Sequence, residues 1–168
     1  MLKDLAFFQF SYSEDDHVRY AFYPNPFISG NAQAQTKLRG WRELEDAGML
    51  DSEEVAALIS NLTTSATIPL IRYENAPSQY KPFIHPCSHF HIGLHSENRW
   101  PSSRVLTPLA FTLWIVKQYY GSFWGLGSDA LHELGNPFEE KLINEKAICR
   151  ILGADFFNAK EGRSTHLA

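Results

Sequence analysis

Cysteine is scarce in this chain. Only Cys87 and Cys149 occur in 168 residues, far apart and outside any Cys-x-x-Cys spacing, which leaves no basis for a secreted disulfide framework. A basic excess is lacking too. The 15 Lys and Arg residues face 19 Asp and Glu, for a formal net charge of −4, whereas a protein that grips a duplex through many phosphates carries more positive than negative side chains. Binding to duplex DNA is therefore not expected. No apolar run is long and clean enough to span a bilayer, and the opening Met-Leu-Lys-Asp-Leu passes straight into strand-like sequence without a charged and then apolar leader. Free thiols and the missing leader together lead us to expect a cytoplasmic protein that neither enters nor crosses a membrane.

Apolar material is plentiful. Hydrophobic residues make up 44% of the chain and aromatic ones 14%, against 20% charged, enough to offset chain entropy and give a globular fold. At this length roughly two thirds of the unfolded surface can be buried, so no staple is required. The expected organisation is one α+β domain over residues 1–157, an antiparallel sheet with a buried central helix and further packed helices, followed by a polar, fraying tail at 158–168.

Strand and helix signals divide the chain. LAFFQFSY (5–12), the turn-like SEDD (13–16) and HVRYAFY (17–23) read as a β-hairpin closed by Pro24 and Pro26. From Gly30 to Gly40 there is no clear period, so a loop is expected, with at most a short helical turn in WRELEDA. Asp51 and Glu54 form a capping-box pattern ahead of Val55, Leu58, Ile59 and Leu62 at helical spacing. After a Thr/Ser-rich turn, IPLIRY reads as a strand, ENAPSQYKPFIHP as a loop and SHFHIGL as a second strand. Thr107-Pro108 opens a helix through LAFTLWIVKQYY that is apolar almost all round and therefore central. Asn136-Pro137 opens another, running towards Gly153 with Phe138, Leu142, Ile148, Ile151 and Leu152 on one broad face. Trp100, Trp114, Trp124 and Tyr119 are expected in the core rather than as a base-stacking platform.

The candidate site is the segment from His85 to His95, which holds four of the seven histidines. Strict alternation puts Phe90, Ile92 and Leu94 on the core face and sends His89 and His91 out together on the other, their side-chain roots about 6.5 to 7 Å apart. Two imidazoles so placed can converge on one metal ion or act as acid and base on one reacting group, and the spacing alone does not choose. For a metal, the tentative ligands are His85, His89 and His91, with zinc or another divalent ion as cofactor; Cys87 is more simply a packed thiol. Basic side chains stand on either side. Arg72 and Arg104 are candidates to stabilise charge on a phosphoryl oxygen, with Asn75, Arg99 and Lys117 as candidate substrate contacts, because guanidinium forks match phosphate geometry. Arg104 could equally pin its turn or cap a carbonyl.

The run Arg72-Tyr73-Glu74-Asn75-Ala76-Pro77, followed by His85-Pro86 and His89-x-His91-x-Gly93, resembles the Arg-aromatic-acidic-Asn-Ala-Pro…His…His-x-His pattern of TumE-type toxin components of bacterial toxin–antitoxin pairs. The resemblance spans about residues 71–94. A related uncharacterised bacterial family of unknown function is similar over about 71–121, including RWPSSRVLTPLAF…IVKQYYG. Ser78-Gln79-Tyr80 stands where TumE-type proteins carry further histidines. The resemblance implies an α+β toxin or phage-defence component acting on RNA or another intracellular phosphoester, with Arg72, His85, His89 and His91 as matching positions and an antitoxin or defence-system protein as partner. Together these readings lead us to expect a histidine-centred, nuclease-like enzyme. The alternative is a non-catalytic binding or assembly subunit with a structural zinc site or a protein-docking surface.

Overall fold

A computed structural model describes residues 2–13, 16–63, 68–129 and 136–165. The expected turns at 13–16 and 63–67 fall largely outside the described residues. The chain forms two compact units, one from residues 1–7 and 23–69 and the other from 8–22 and 70–168.

In the first unit, helix α1 (Ala32–Asp46) is followed by α2 (Ser52–Ser60). The segment expected to be a loop at 30–40 is thus the front half of α1. Asn31 caps it by accepting from the Ala34 backbone N–H at 3.0 Å, and Ala, Gln, Lys, Arg, Leu and Glu supply good intrinsic propensity. Only Ala34 and Leu38 are buried along it, so the helix has almost no apolar face by which a period could be recognised. The capping box of α2 is as expected. Asp51 accepts from the Glu54 N–H at 2.8 Å while Glu54 accepts from the Asp51 N–H at 2.9 Å. Phe7 stacks on Tyr23 at 4.8 Å, and buried Asp4 accepts from the Ser29 hydroxyl at 2.7 Å.

The second unit carries an antiparallel sheet in the order β1-β2-β3-β4-β5. Its strands are β1 (Phe7–Tyr12), β2 (Val18–Tyr23), β3 (Ile71–Asn75), β4 (Ser88–Ile92) and β5 (Trp100–Pro101). The hairpin strands form as read. The strand read in IPLIRY lies further along, starting at Ile71 and taking in Glu74 and Asn75 from the expected loop, and the one read in SHFHIGL stops at Ile92. The whole is an α+β fold. A short ribbon pairs β6 (Arg104–Val105) with β7 (Arg150–Ile151). Helices α3 (Pro108–Tyr119), α4 (Gly121–Asp129), α5 (Pro137–Ile148) and α6 (Ala159–Thr165) complete the unit. Thr107 and Asn136 cap α3 and α5, each with proline in the first turn, as their start signals foretold.

Helix α3 lies on one face of the sheet. Phe111, fully buried, meets Phe8, Phe10, Tyr20, Tyr73 and Phe90 at ring distances of 5.8 to 6.5 Å. A polar relay crosses this apolar layer. The Leu106 N–H donates to the Tyr73 hydroxyl at 2.9 Å, Tyr73 and Ser88 share a hydrogen at 2.7 Å, and the Ser88 hydroxyl donates to the Arg104 carbonyl at 2.7 Å. The Tyr73 hydroxyl also lies within 3.2 Å of the Arg104 carbonyl, so each of these polar atoms has a partner. Burial pushes the Tyr73 phenol up to about 12, against the hydrogen bonds with Ser88 and the Leu106 backbone, which act in the opposite direction. A second cluster joins Leu113, Trp124 and Leu142 with Val116 and Phe138, binding α3, α4 and α5.

Several expectations need correction. The helix through LAFTLWIVKQYY ends ahead of Gly121 as read, but a further helix that was not expected, α4, begins there after Tyr120 leaves helical geometry. Leu94 is 86% exposed rather than in the core, because β4 stops at Ile92 and Gly93 takes a φ of +85°, turning the chain away. Ile148 and Ile151 are likewise exposed. Helix α5 ends at Ile148, and Cys149 takes an extended conformation into β7, so the apolar face read towards Gly153 is never formed as one surface. Trp100 sits exposed on edge strand β5, whereas Trp124 is buried. The stretch expected to be a fraying tail forms α6, and residues 166–168 lie outside the described residues.

Phe111→Ala should lower unfolding free energy by about 3–5 kcal/mol through the cavity left among five rings. Tyr73→Phe keeps the volume but strands the Leu106 N–H, at a cost of roughly 1–3 kcal/mol. Urea unfolding measures both, and a Tyr73→Phe variant as stable as the parent would show that the relay is dispensable.

Candidate functional site

Strand register builds the other face of the sheet. β3 and β4 pair antiparallel, with Arg72 opposite His91 and Glu74 opposite His89, and β2 pairs with β3 so that Arg19 lies opposite Glu74. By alternation, Arg19, Arg72, Glu74, His89 and His91 share the face turned away from α3. The histidines are nonetheless deeply covered. His89 is fully buried and His91 is 6% exposed.

One hydrogen bond orders the pair. His89 Nδ1 lies 2.8 Å from the Pro86 carbonyl, which can only accept, so the proton of neutral His89 sits on Nδ1 and its Nε2 carries a lone pair. That lone pair lies 3.1 Å from His91 Nε2. Two arrangements satisfy this contact: His91 donates from Nε2, leaving its Nδ1 free to take a proton, or both Nε2 lone pairs face a third species. Burial holds His89 down to about 4, with His91 beside it acting in the same direction. His91 is lowered as well, by burial and then by Arg72 and Arg99, with a backbone contact from Asn98 acting in the opposite sense. At neutral pH both rings are uncharged bases.

Glu74 is the residue that sequence reasoning passed over. Its Oε1 accepts from Arg19 Nε at 2.8 Å and meets His17 Nε2 at 2.7 Å, while Oε2 stands 4.0 Å from His89 Nε2. Burial alone would raise this carboxyl, but the hydrogen bonds from Arg19 and His17 outweigh it and hold the group below its ordinary value. Ligand atoms of Glu74, His89 and His91 all lie within 4.8 Å of one another. The available signal was the acidic position of the Arg-aromatic-acidic motif, two residues from Arg72 and therefore on the same face.

The remaining expected residues divide. Arg72 and Arg99 are electrostatically coupled to His91, and each keeps a buried Nε without a hydrogen-bond partner among the described residues. His85 packs edge-on against His89 at 4.9 Å between ring centroids. Its carrier loop is closed by reciprocal backbone bonds between Lys81 and His85 and tethered by Glu161, which accepts from the Tyr80 hydroxyl at 2.8 Å and the Phe83 N–H at 3.0 Å. His85 does not belong to the close group; Glu74 takes the third place.

Three others lie elsewhere. Asn75 points to the opposite face, fully buried, where it donates to the Asp16 carbonyl at 2.8 Å and accepts from the Cys87 thiol at 3.5 Å. Arg104 donates to the Lys146 and Cys149 carbonyls at 3.0 and 3.1 Å, capping the end of α5 rather than reaching the histidines. Lys117 on α3 pairs with Glu139 on α5 at 2.6 Å. Cys87 is a packed thiol, pushed up to about 11 by burial.

Comparison with known proteins places the chain in a family. A family model described as an uncharacterized conserved protein, DUF2290, matches residues 1–164, and the chain belongs to that family. No curated protein and no solved structure matches it.

The depressed histidines make stability depend on pH with a definite sign. Between about 6.5 and about 4 the unfolded chain takes up a proton at His89 that the native state refuses, so the stability present above pH 6.5 is lost as pH falls through that window. The loss from His89 is on the order of 3 kcal/mol, and His91 acts in the same direction. Urea unfolding at stepped pH should show this slope, reduced in His89→Gln; a flat profile from 6.5 to 4 would contradict the buried, neutral pair.

Proposed function

We propose that this DUF2290 protein is a histidine-centred enzyme that cleaves phosphodiester bonds, with RNA as the preferred substrate class. The observation that carries the reading is the pair of imidazoles with their Nε2 atoms 3.1 Å apart, set beside Arg72 and Arg99 with their unpartnered Nε groups. Lone pairs of the histidines activate an oxygen nucleophile. The guanidinium groups neutralise charge that builds on the phosphoryl oxygens as the new P–O bond forms and the leaving oxygen departs. Arg19 and His17 keep Glu74 ionised and in position. The resemblance to TumE-type toxin components supports the same substrate class and suggests a toxin or phage-defence setting in the cytoplasm, with an antitoxin or defence-system protein as partner. No described helix is long and apolar enough to cross a membrane.

A second reading has an observation of its own. Full burial of His89, together with exposed Phe83, Ile84, Leu94 and Trp100 on the flanking segments, favours an assembly subunit with a structural metal and a docking surface. A metal with every position filled by protein, in a stable complex with a partner, would support this second reading.

The decisive assay incubates purified protein with single-stranded RNA and with a chromogenic phosphodiester in the presence of zinc, manganese or magnesium. Cleavage is expected, falling by roughly 10²-fold or more in His91→Ala and in Arg72→Ala, while Arg42→Ala, in an exposed pair with Glu45, leaves it unchanged. Intact substrates under all three metals, with no growth defect on expression, would overturn the enzymatic reading.

A further inference from the structure

We infer that Glu74, His89 and His91 form a mononuclear divalent-metal site of the two-histidine, one-carboxylate kind, with at least one position left open for an exchangeable ligand. The inference deepens the reading above by specifying how the nucleophile is activated, but the site itself stands on geometry alone.

Two histidine nitrogens bound to one ion at about 2.0–2.1 Å are separated by about 2.9 Å at a right angle and about 3.3 Å at a tetrahedral angle. The observed separation of the His89 and His91 Nε2 atoms is 3.1 Å. Glu74 Oε2 is 4.0 Å from His89 Nε2, so a side-chain rotation of about an ångström brings it to bonding distance from the same point. Its other oxygen is already held by Arg19 and His17. That leaves Oε2 as the oxygen available to a cation.

The surrounding groups match what a metal site requires of its supports. A ligating histidine donates its second nitrogen to a carbonyl or carboxylate, which fixes the tautomer and aims the lone pair. The Pro86 carbonyl does this for His89. For His91, Nδ1 is buried and without a hydrogen-bond partner among the described residues, with the Asn98 backbone acting on the ring, so a proton carried on Nδ1 would leave Nε2 bare for an ion. Nitrogen and oxygen donors suit zinc and its neighbours in the first transition row rather than calcium or magnesium. With three protein ligands a tetrahedral ion keeps a fourth position. The neighbouring Arg72 and Arg99 make an anion, a hydroxide or a phosphoryl oxygen, the favoured occupant.

The test uses the full chain, stripped with chelator and titrated with Zn²⁺ by calorimetry and with Co²⁺ by visible absorption. One equivalent should bind with a d–d band of low-coordinate Co²⁺, and Zn²⁺ should raise the melting temperature of the stripped protein. Glu74→Gln, which retains acceptor contacts with Arg19 and His17, and His91→Ala should each weaken binding by roughly tenfold or more. Failure of the wild type to bind one equivalent overturns the site whether or not the variants fold. So does binding that both variants retain in full. Phosphodiester cleavage that persists in stripped protein would leave the enzymatic reading standing without the metal, whereas stoichiometric metal without cleavage would do the reverse.

Discussion

The hydrogen bond from His89 Nδ1 to the Pro86 carbonyl governs what the polar face of the sheet can do. A backbone carbonyl has no proton to offer, so it places the His89 proton on the side facing the loop and leaves the lone pair facing His91. Were the tautomer reversed, His89 would present an N–H to its neighbour and only one bare nitrogen would remain between them. Burial then keeps the arrangement intact near neutrality, because a protonated imidazole would be poorly solvated there. The loop that carries Pro86 is therefore as much a part of the site as the strand that carries the rings.

The sheet divides its labour between two faces. Towards α3 it presents Tyr20, Tyr73 and Phe90, whose aromatic packing around Phe111 makes a stiff platform, with Phe22 against Phe8 and Tyr120. On the reverse it presents Arg19, Arg72, Glu74, His89 and His91. Alternate residues of β3 and β4 belong to opposite layers, so the geometry of the histidine pair inherits its precision from a core made of entirely different side chains. Tyr73 shows the connection most directly, since its hydroxyl ties β3 to the segment entering α3 while its neighbours Arg72 and Glu74 serve the polar face.

Much of this was legible from local pattern. Alternation in 88–92 gave away the shared face of His89 and His91, and the capping residues Asp51, Thr107 and Asn136 marked three helix starts, because both signals depend on neighbours in the chain. What stayed hidden depends on pairing between distant segments. Glu74 lies opposite His89 only through the β3–β4 register, and Arg104 finds the α5 carbonyls 42 and 45 residues away. Helix α1 escaped for a different reason: two buried residues in fifteen leave no stripe to read. Leu94 misled because alternation was carried one turn too far, past a glycine whose positive φ ends the strand.

Glu161 gives the molecule a temporal order. Its carboxylate, from the far end of the second unit, fastens Tyr80 and Phe83 and thereby the turn that brings His85 against His89. During vectorial synthesis on the ribosome, strands β3 and β4 emerge long before residue 161. The nascent sheet can pair and its aromatic face can collect α3, yet the turn that sets His85 against His89 lacks its Glu161 anchor until α6 has been made. The turn beside the histidines is thus fastened only after residue 161 has been made, and the imidazoles acquire their final surroundings later than the strands that carry them.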